Sequence, residues 1–431
     1  MRPLAPRNRE ALYLTISLGA TEAALVLLRY SGNQFFRENV HPFQYLAIAG
    51  VSFAALHIAN RLLAPTASAG ILPPVVLLHG MGYVVIARLA PDKAAAQLWW
   101  TAAASVGYLA TLAALRDYRL IDRYRYIWAV LGIGSVMLPM VPGIGKEING
   151  SRLWVALGPI SFQPGEVAKV ALVFFFASYL LERRELLTIS TFRLGPLSLP
   201  HPKHLAPVAA VWAVSFAVLA VERDLGSSLL LLTIFLTLLY LATGRPFYQI
   251  AGATLFVSGA VVAYFLFAHV RTRIAVWIDP FATYDTSGFQ IAQALFSLGT
   301  GSLAGTGPGR GSPGLIPLAY TDFVFPAAGE EFGFLGLCGL LGAYAVFFTA
   351  AARVSLVARN PLGKLLAAGL TGAVGIQTVL VLAGVTRLLP LTGLTTPLMS
   401  YGGSSLFANF VVVAVLVVIS EQRDRPAPEQ L

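Results

Sequence analysis

The residues that could do chemistry are concentrated between Arg271 and Glu331. This stretch contains the longest part of an otherwise apolar chain that lacks membrane-spanning character, yet it is rich in charge. Carboxylates can take a proton from a substrate, and cations can neutralise an anionic group. We therefore expect any reaction to occur here. The charged side chains concerned are Arg271, Arg273, Asp279, Asp285, Arg310 and Asp322.

Asp322 lies just before a predicted membrane-spanning helix whose first turn is marked by Pro326. By its position alone it is either a helix cap or a functional carboxylate. Glu330 and Glu331 follow inside the apolar run, where ionisable side chains are commonly functional. Because neighbouring residues of a helix point about 100° apart, we expect only one of these glutamates to face a shared cavity.

Two more charged motifs lie outside this stretch. Glu166 and Lys169 stand three residues apart on one face of a predicted helix. They form either a structural ion pair or the lining of a cavity open to the outer leaflet, in which Lys169 would meet an anionic group. Asp224 lies in a very short turn between two predicted spans. It is well placed to cap the next helix, and it is also a candidate substrate-binding residue.

Two irregular segments complete the candidate site. In the first, Asn149-Gly150 predicts a hairpin turn. Its Arg152 and Trp154 belong either to the interfacial belt or to a wall for a lipid-linked substrate. The second, 387–405, is broken by proline and glycine, and we interpret it as re-entrant and cavity-lining. Its candidate binding residues are Arg387, Ser400, Ser404 and Ser405.

Several classes of function are excluded. The glycine-rich run from Gly299 to Gly311 lacks the Gly-Lys-Ser/Thr ending of a P-loop, so nucleotide binding is rejected and a mobile surface loop is predicted. The single cysteine, Cys338, lies in an apolar run, which excludes a disulfide and a thiolate metal site. The net charge of +10 sits in short connectors, where it sets membrane orientation and does not indicate nucleic acid.

The composition defines the elements that must position these groups. With 57% hydrophobic and 12% charged residues, the chain is far more apolar than a soluble domain, in which about a quarter of the residues are charged. It is therefore predicted to be an all-α polytopic membrane protein. The twelve candidate spans are 11–30, 43–63, 71–90, 97–116, 126–142, 161–182, 205–221, 226–243, 247–269, 326–350, 362–384 and 404–420.

The orientation follows from the basic connectors. With twelve spans, the connector that holds Arg116, Arg119, Arg123 and Arg125 lies on the same side as both termini. Because loops rich in Lys and Arg stay in the cytoplasm, both termini are predicted to be cytoplasmic. The segment 421–431 is predicted to be a disordered tail. The predicted outer loops are 143–160, 222–225, 270–325 and 385–403.

Taken together, these motifs resemble the SEDS family (shape, elongation, division and sporulation; the RodA/FtsW proteins), which are integral-membrane peptidoglycan glycosyltransferases. The resemblance is closest to the RodA elongation branch. It implies a ten-span core over 71–420, with two additional spans in 1–70. The motifs that carry it are Asn149-Gly150 with Arg152 and Trp154, Gln163-Pro164 with Glu166 and Lys169, Asp224-Leu225-Gly226, Thr321-Asp322-Phe323 with Gly329-Glu330-Glu331, and Pro390-Leu391-Thr392-Gly393 with Ser400-Tyr401-Gly402-Gly403-Ser404-Ser405.

The resemblance implies lipid II as the substrate, Asp322 as the general base and undecaprenyl pyrophosphate as the leaving group of an inverting transfer. It also implies a class B penicillin-binding protein, a transpeptidase, as partner. The leaving group needs charge neutralisation, which a divalent cation (Mg²⁺ or Mn²⁺) could assist, and no nucleotide cofactor is expected. The protein cations within topological reach are Arg152, Lys169, Arg223, Arg271, Arg273, Arg310 and Arg387.

The sequence departs from the family pattern at three positions. Leu318 and Tyr320 stand where the family commonly has a glutamate and a histidine, so neither can act as an accessory acid or base, and Gly165 replaces a serine. Two other functions stay open: a lipid II flippase and a non-catalytic scaffold that recruits a transpeptidase. A flippase needs a polar route through the membrane midplane. The charge in the outer loops outweighs the charge within the spans, which favours a polymerase.

Overall fold

The computed structural model describes residues 5–148, 151–157, 160–188, 192–194, 197–199, 213 and 224–421. The described chain is mainly helical, with five short strands. The strands are β1 (Gly145–Ile148), β2 (Ser151–Leu157), β3 (Ile160–Phe162), β4 (Phe192–Leu194) and β5 (Leu197–Leu199). The helices are α1 (Pro6–Arg29), α2 (Gln34–Asn39), α3 (Pro42–Tyr45), α4 (Val51–Leu63), α5 (Leu72–Leu89), α6 (Pro91–Ala114), α7 (Arg119–Arg123), α8 (Arg125–Met137), α9 (Pro164–Glu182), α10 (Arg184–Thr188), α11 (Leu225–Thr243), α12 (Phe247–Leu266), α13 (Ala268–Ile278), α14 (Phe289–Gly301), α15 (Val324–Val357), α16 (Pro361–Val385) and α17 (Gly403–Glu421).

Nine helical segments among the described residues are long and apolar enough to cross a membrane. The predicted spans 97–116 and 126–142 are also helical, as α6 and α8, although they are not among these nine. The predicted span 205–221 lies outside the described residues, so the count of twelve stays a prediction. The nine segments are α1, Gln34–Leu63, α5, α9, Gly226–Thr243, α12, α15, α16 and α17. The all-α, multi-pass class is confirmed.

The chain divides into two compact units. The first contains the described residues of Met1–Asp117, Ala275–Arg359 and Thr378–Leu431. In it, α17 packs along α6, α1 packs along α5, and α14 packs on α15. Glycines permit some of these approaches. At Gly82 of α5, a Cβ atom would come within 2.1 Å of the Met399 carbonyl oxygen, so only hydrogen fits there.

The second unit contains the described residues of Tyr118–Ile274 and Asn360–Gln377. Its centre is α9, which packs against α8 and α11. Next to α9 in the sequence is an antiparallel sheet in the order β1-β2-β3. Lys146 pairs with Trp154 across the first two strands. The predicted hairpin is thereby confirmed, although its Asn149-Gly150 turn lies outside the described residues.

The predicted outer loop 270–325 contains two helices that the sequence analysis did not predict, most of α13 and all of α14. The helix that follows, α15, begins at Val324, two residues before Pro326, and it continues past the predicted end at residue 350. Its backbone is broken at Gly333, where φ is +67°. A positive φ is readily available only to glycine, so this residue type permits the break.

The glycine-rich run is bound to the broken helix by backbone hydrogen bonds. The N–H groups of Thr306 and Gly307 donate to the carbonyls of Glu330 and Glu331, at 2.9 and 3.0 Å. From the other side of the break, the Phe334 N–H donates to the Ser302 carbonyl at 2.9 Å. The groups released by the break are thus paired, as buried backbone requires. The predicted surface position agrees with the exposure of Leu303 and Arg310, whereas the predicted mobility does not agree with these hydrogen bonds.

The contact at Gly82 yields a test of the fold. We expect Gly82→Ala to lower the free energy of unfolding by about 1–3 kcal/mol, because the methyl group would overpack the Met399 backbone. Gly339→Ala is the matched control, since a Cβ at Gly339 of α15 meets nothing within 4 Å. Alanine should stabilise that helix by roughly 0.5–1 kcal/mol. Thermal unfolding of both purified variants in detergent is the measurement, and equal effects would contradict the packing.

Candidate active site

The chain is fixed immediately before and after Asp322. On one side, the Tyr401 N–H donates to the Tyr320 carbonyl at 2.8 Å, and the Ser400 hydroxyl donates to the Thr321 carbonyl. On the other side, Phe323 is completely buried. Asp322 itself is half-buried. Its backbone therefore has little freedom, and the residue is neither fully buried nor fully exposed.

The segment that holds Asp322 in place is irregular but buried. Residues 391–402 contain no helix or strand, yet Thr396, Leu398 and Met399 are almost inaccessible. The Ser400 hydroxyl accepts the N–H of Thr396 at 2.8 Å, and the Tyr344 hydroxyl donates to the Pro397 carbonyl. Irregular backbone at membrane depth persists only where its polar groups are satisfied in this way. The re-entrant, cavity-lining interpretation agrees with this burial and stays a prediction.

Both glutamates of α15 are buried and hydrogen-bonded. Glu330 accepts the hydroxyl of Ser297 and the backbone N–H of Ser312, the latter at 2.5 Å. Glu331 accepts the Nε–H of Arg88 at 2.8 Å. These partners come from α14, from the loop before α15, and from α5. The glutamates therefore fix the loop before α15 to the helices. The expectation that only one of them faces a shared cavity stays a prediction.

Arg88 is a residue that the sequence analysis missed. Besides its bond to Glu331, its guanidinium donates to the Gly311 carbonyl at 2.9 Å and lies 4.5 Å from the centre of the Phe36 ring. The sequence did contain a signal for Arg88, because an arginine inside a predicted span is costly unless it is paired. Its partner lies 243 positions further along the chain, which no local pattern indicates.

In the second unit, Glu166 and Lys169 form the buried ion pair that their spacing predicts. The Lys169 Nζ lies 2.7 Å from Glu166 Oε2, and it also donates to Gln377 Oε1 at 2.7 Å. Gln377 of α16 is a further residue that the sequence analysis missed, because a single glutamine in an apolar helix carries no spacing signal. The pair exists, but a role in binding an anionic group stays a prediction.

Asp224 caps α11, as predicted. Its carboxylate accepts the Ser227 N–H at 3.0 Å and the Ser227 hydroxyl at 2.5 Å. Burial raises the pKa of the Asp224 carboxyl above its usual range, while the hydrogen bonds from Ser227 and the nearby charge of Arg273 act in the opposite direction. Arg273 and Glu166 are thus close enough to Asp224 to interact electrostatically. Three predicted binding residues share one neighbourhood.

Two of the predicted cations cap helix ends. Arg271 donates to the Phe265 carbonyl at 3.0 Å, near the end of α12. Arg387 donates to the Trp277 carbonyl at 2.9 Å and to the Ile278 carbonyl, at the end of α13. These bonds satisfy carbonyls that have no partner within the helix. Several hydrogen-bond donors of these arginines are therefore already in use.

The remaining predicted residues differ in accessibility. Arg152 and Arg310 are exposed, and Trp154 is half-buried. Ser404 and Ser405 are buried at the start of α17, where the Ser405 hydroxyl accepts from Asn409 at 3.3 Å. The predicted site residues are divided between the two compact units. The second unit contains Arg152, Trp154, Glu166, Lys169, Asp224, Arg271 and Arg273. The first unit contains Arg310, Asp322, Glu330, Glu331, Arg387, Ser400, Ser404 and Ser405.

No group of three or more His, Cys, Asp or Glu side chains within the described ranges could hold a metal ion. The described residues therefore provide no such ligand cluster for a divalent cation. Mg²⁺ or Mn²⁺ as an assistant of the leaving group stays a proposal.

The fold and these buried polar clusters define a multi-pass α-helical membrane protein. Residues 66–425 match the model of the cell cycle protein family FtsW/RodA/SpoVE. The chain belongs to this family.

Three similar proteins give further detail. The peptidoglycan glycosyltransferase RodA of Mycobacterium tuberculosis (strain ATCC 25618 / H37Rv) is 41% identical over 431 aligned residues, which cover 97% of this chain and 92% of the relative. A solved structure described as the structural coordination of polymerization and crosslinking by a peptidoglycan synthase complex matches with a TM-score of 0.68 and 26% identity, covering 84% of this chain and 99% of the other. The crystal structure of the rod shape determining protein RodA of Thermus thermophilus matches with a TM-score of 0.57, 26% identity and coverage of 84% and 98%.

The Arg88–Glu331 pair leads to the second test. Arg88→Gln leaves a buried carboxylate without its cation, so we expect a loss of about 3–5 kcal/mol in the free energy of unfolding. Lys93→Gln is the matched control, because the side chains of the Lys93–Asp92 pair are 43% and 71% exposed. Exposed pairs are worth about 0–1 kcal/mol. Unfolding of both variants in detergent is compared, and a loss no larger for Arg88→Gln than for Lys93→Gln would contradict the assignment.

Proposed function

We propose that this protein is a peptidoglycan glycosyltransferase that polymerises lipid II into glycan strands at the outer face of the cytoplasmic membrane. Membership of the FtsW/RodA/SpoVE family and the 41% identity to a mycobacterial protein of that activity support the proposal. The observation that carries its chemistry is the position of Asp322. Asp322 is half-buried two residues before α15, with its backbone fixed on both sides.

Asp322 acts as the general base. Polymerisation requires a sugar hydroxyl of one molecule to lose its proton while its oxygen attacks the anomeric carbon of another. A carboxylate within hydrogen-bond reach can accept that proton. The carbon–oxygen bond to the pyrophosphate breaks on the opposite side, so the anomeric configuration inverts without a covalent enzyme intermediate. Glu330 and Glu331 are engaged in hydrogen bonds to the protein, so a second catalytic carboxylate is not assigned.

The leaving group is undecaprenyl pyrophosphate, a weak base that departs with its negative charge. It needs cations and not a proton. Among the described cations of the first unit, Arg310 is exposed and its side chain has no hydrogen bond or ion pair to the described protein. Arg387 is partly committed to carbonyls. Arg310 is therefore the preferred contact to the phosphates in that unit.

The partner is a class B penicillin-binding protein, which crosslinks the strands. The structural relative that takes part in a peptidoglycan synthase complex, in which polymerization and crosslinking are coordinated, supports this assignment. The cytoplasmic position of both termini, inferred from the basic connectors, puts Asp322 on the outer side, where the donor and acceptor of the strand meet. No nucleotide cofactor takes part in this reaction.

The test is polymerisation of labelled lipid II by the purified full-length protein together with its partner. We expect Asp322→Asn to slow strand formation by about 10²–10⁴-fold, the size of a lost general base. Asp279→Asn is the matched control. Asp279 is exposed and accepts the Phe281 N–H at 3.0 Å, which an asparagine can still accept. Its polymerisation rate should stay close to that of the wild type.

The outcomes separate the alternatives. Retained synthesis by Asp322→Asn would remove the assignment of the base. Wild-type protein that moves lipid II across a vesicle membrane without forming polymer would indicate a flippase. Wild-type protein that forms no strands, but binds the transpeptidase and raises its crosslinking rate, would indicate a scaffold.

A further inference from the structure

A cavity of about 560 Å³ lies at one end of the first unit, away from the residues discussed so far. It is bounded by the start of α1, by the connection 66–70 between α4 and α5, and by the last turns of α15. Its volume is in the range of roughly 300–1,000 Å³ that small-molecule sites occupy. Arg9 and Arg353 line it from opposite elements, together with Ser68 and Thr349.

The two arginines have no partner among the residues that the structure describes. Arg9 and Arg353 are exposed, and neither side chain makes a hydrogen bond or ion pair to any described residue. Arg7, only two residues before Arg9, behaves differently. It is buried, bonded to Glu10, and donates to the Ala64 and Ala67 carbonyls. Arg7 thus holds the connection between α4 and α5 in place, while Arg9 remains available to a ligand.

The wall of the cavity is fixed from a second side. The N–H and the hydroxyl of Thr66 both donate to Glu421 Oε2 at 2.8 Å, and the Ser68 N–H donates to the Ser420 hydroxyl at 2.6 Å. These bonds engage one oxygen of the Glu421 carboxylate. The Ser68 hydroxyl has no bond to the described protein. The site therefore combines two cations and a free hydroxyl on a wall that is already ordered.

We propose that this cavity binds the phosphate of an anionic phospholipid headgroup. Arg9 lies in the first turn of α1 and Arg353 near the end of α15, so both are at the same surface of the membrane, which the predicted orientation makes cytoplasmic. Two guanidinium groups match the charge and geometry of a phosphate. Ala345, Val346 and Ala350 form an apolar side along which the acyl chains can leave.

The site depends on the N-terminal spans. The family match begins at residue 66, whereas Pro6, Arg9 and Tyr13 of α1 line the cavity. The same match includes Arg353. The family core therefore supplies only one cation to the cavity, Arg353, and the N-terminal helix α1 supplies the second cation, Arg9. Binding of a lipid there would stabilise the docking of α1 on the core by mass action.

The test is native mass spectrometry of the full-length protein purified in detergent and titrated with phosphatidylglycerol, phosphatidylcholine or inorganic phosphate. We expect selective retention of phosphatidylglycerol. The double variant Arg9→Gln/Arg353→Gln should weaken this retention by about tenfold or more, the effect of removing two cations from an anionic headgroup. The variant Arg9→Lys/Arg353→Lys, which keeps both charges, should retain most of the binding.

Arg359→Gln is the matched control, because Arg359 is an exposed arginine just after α15 that does not line the cavity. It should bind like the wild type, and an unchanged melting temperature of each variant should show that the fold is intact. If inorganic phosphate displaces phosphatidylglycerol at a similar concentration, the site binds a soluble phosphate compound, and the assignment to a lipid is overturned. Wild-type retention by the double variant, or an equal loss in Arg359→Gln, would overturn the proposal.

Discussion

The account depends on the hydrogen bonds that fix the backbone of 320–321 to that of 400–401. A general base works only when its carboxylate is held within hydrogen-bond reach of the reacting hydroxyl, and Asp322 directly follows this connection. The buried ring of Phe323 fixes the chain on the other side. The connection depends in turn on a tightly packed, irregular segment, which approaches α5 at a glycine where no side chain would fit. The position of Asp322 therefore depends on the packing of the core.

The buried charges of the first unit serve this same purpose. Arg88 joins α5 to the start of α15 and to the preceding loop, while Glu330 binds that loop from the other side. Such pairs are weak sources of net stability, because desolvation offsets their attraction, but removing one member is costly. Their effect is to favour one arrangement of the loop before α15 and to penalise others. The break in α15 at Gly333 adds further bonds between the helix and this loop. Backbone groups of the glycine-rich run pair with the groups of α15 that the break leaves without a helical partner.

Much of this could be predicted from the sequence, because the relevant signals are local. Long apolar runs predict the helices, a spacing of three predicts the pair Glu166–Lys169, and a carboxylate before an apolar run predicts the cap at Asp224. The partner of Arg88 could not be predicted, since it is distant in the chain and set by tertiary packing. Tyr320 shows the same limit. At a position where the family commonly has a histidine, its carbonyl accepts the Tyr401 N–H and its ring lies 5.9 Å from that of Tyr401. The helices α13 and α14 were also not predicted, because they are short and lie in a stretch whose charge is typical of a loop.

The proposed role of Asp322 as general base concerns a single carboxylate and can be tested directly. The measurement is an experimental structure of the full-length protein with a non-reactive lipid II donor and a glycan acceptor both bound. The account predicts an Asp322 carboxylate oxygen within about 2.6–3.2 Å of the attacking hydroxyl, or joined to it by one water. An acceptor hydroxyl poised at the anomeric carbon, with Asp322 beyond that reach, would contradict it.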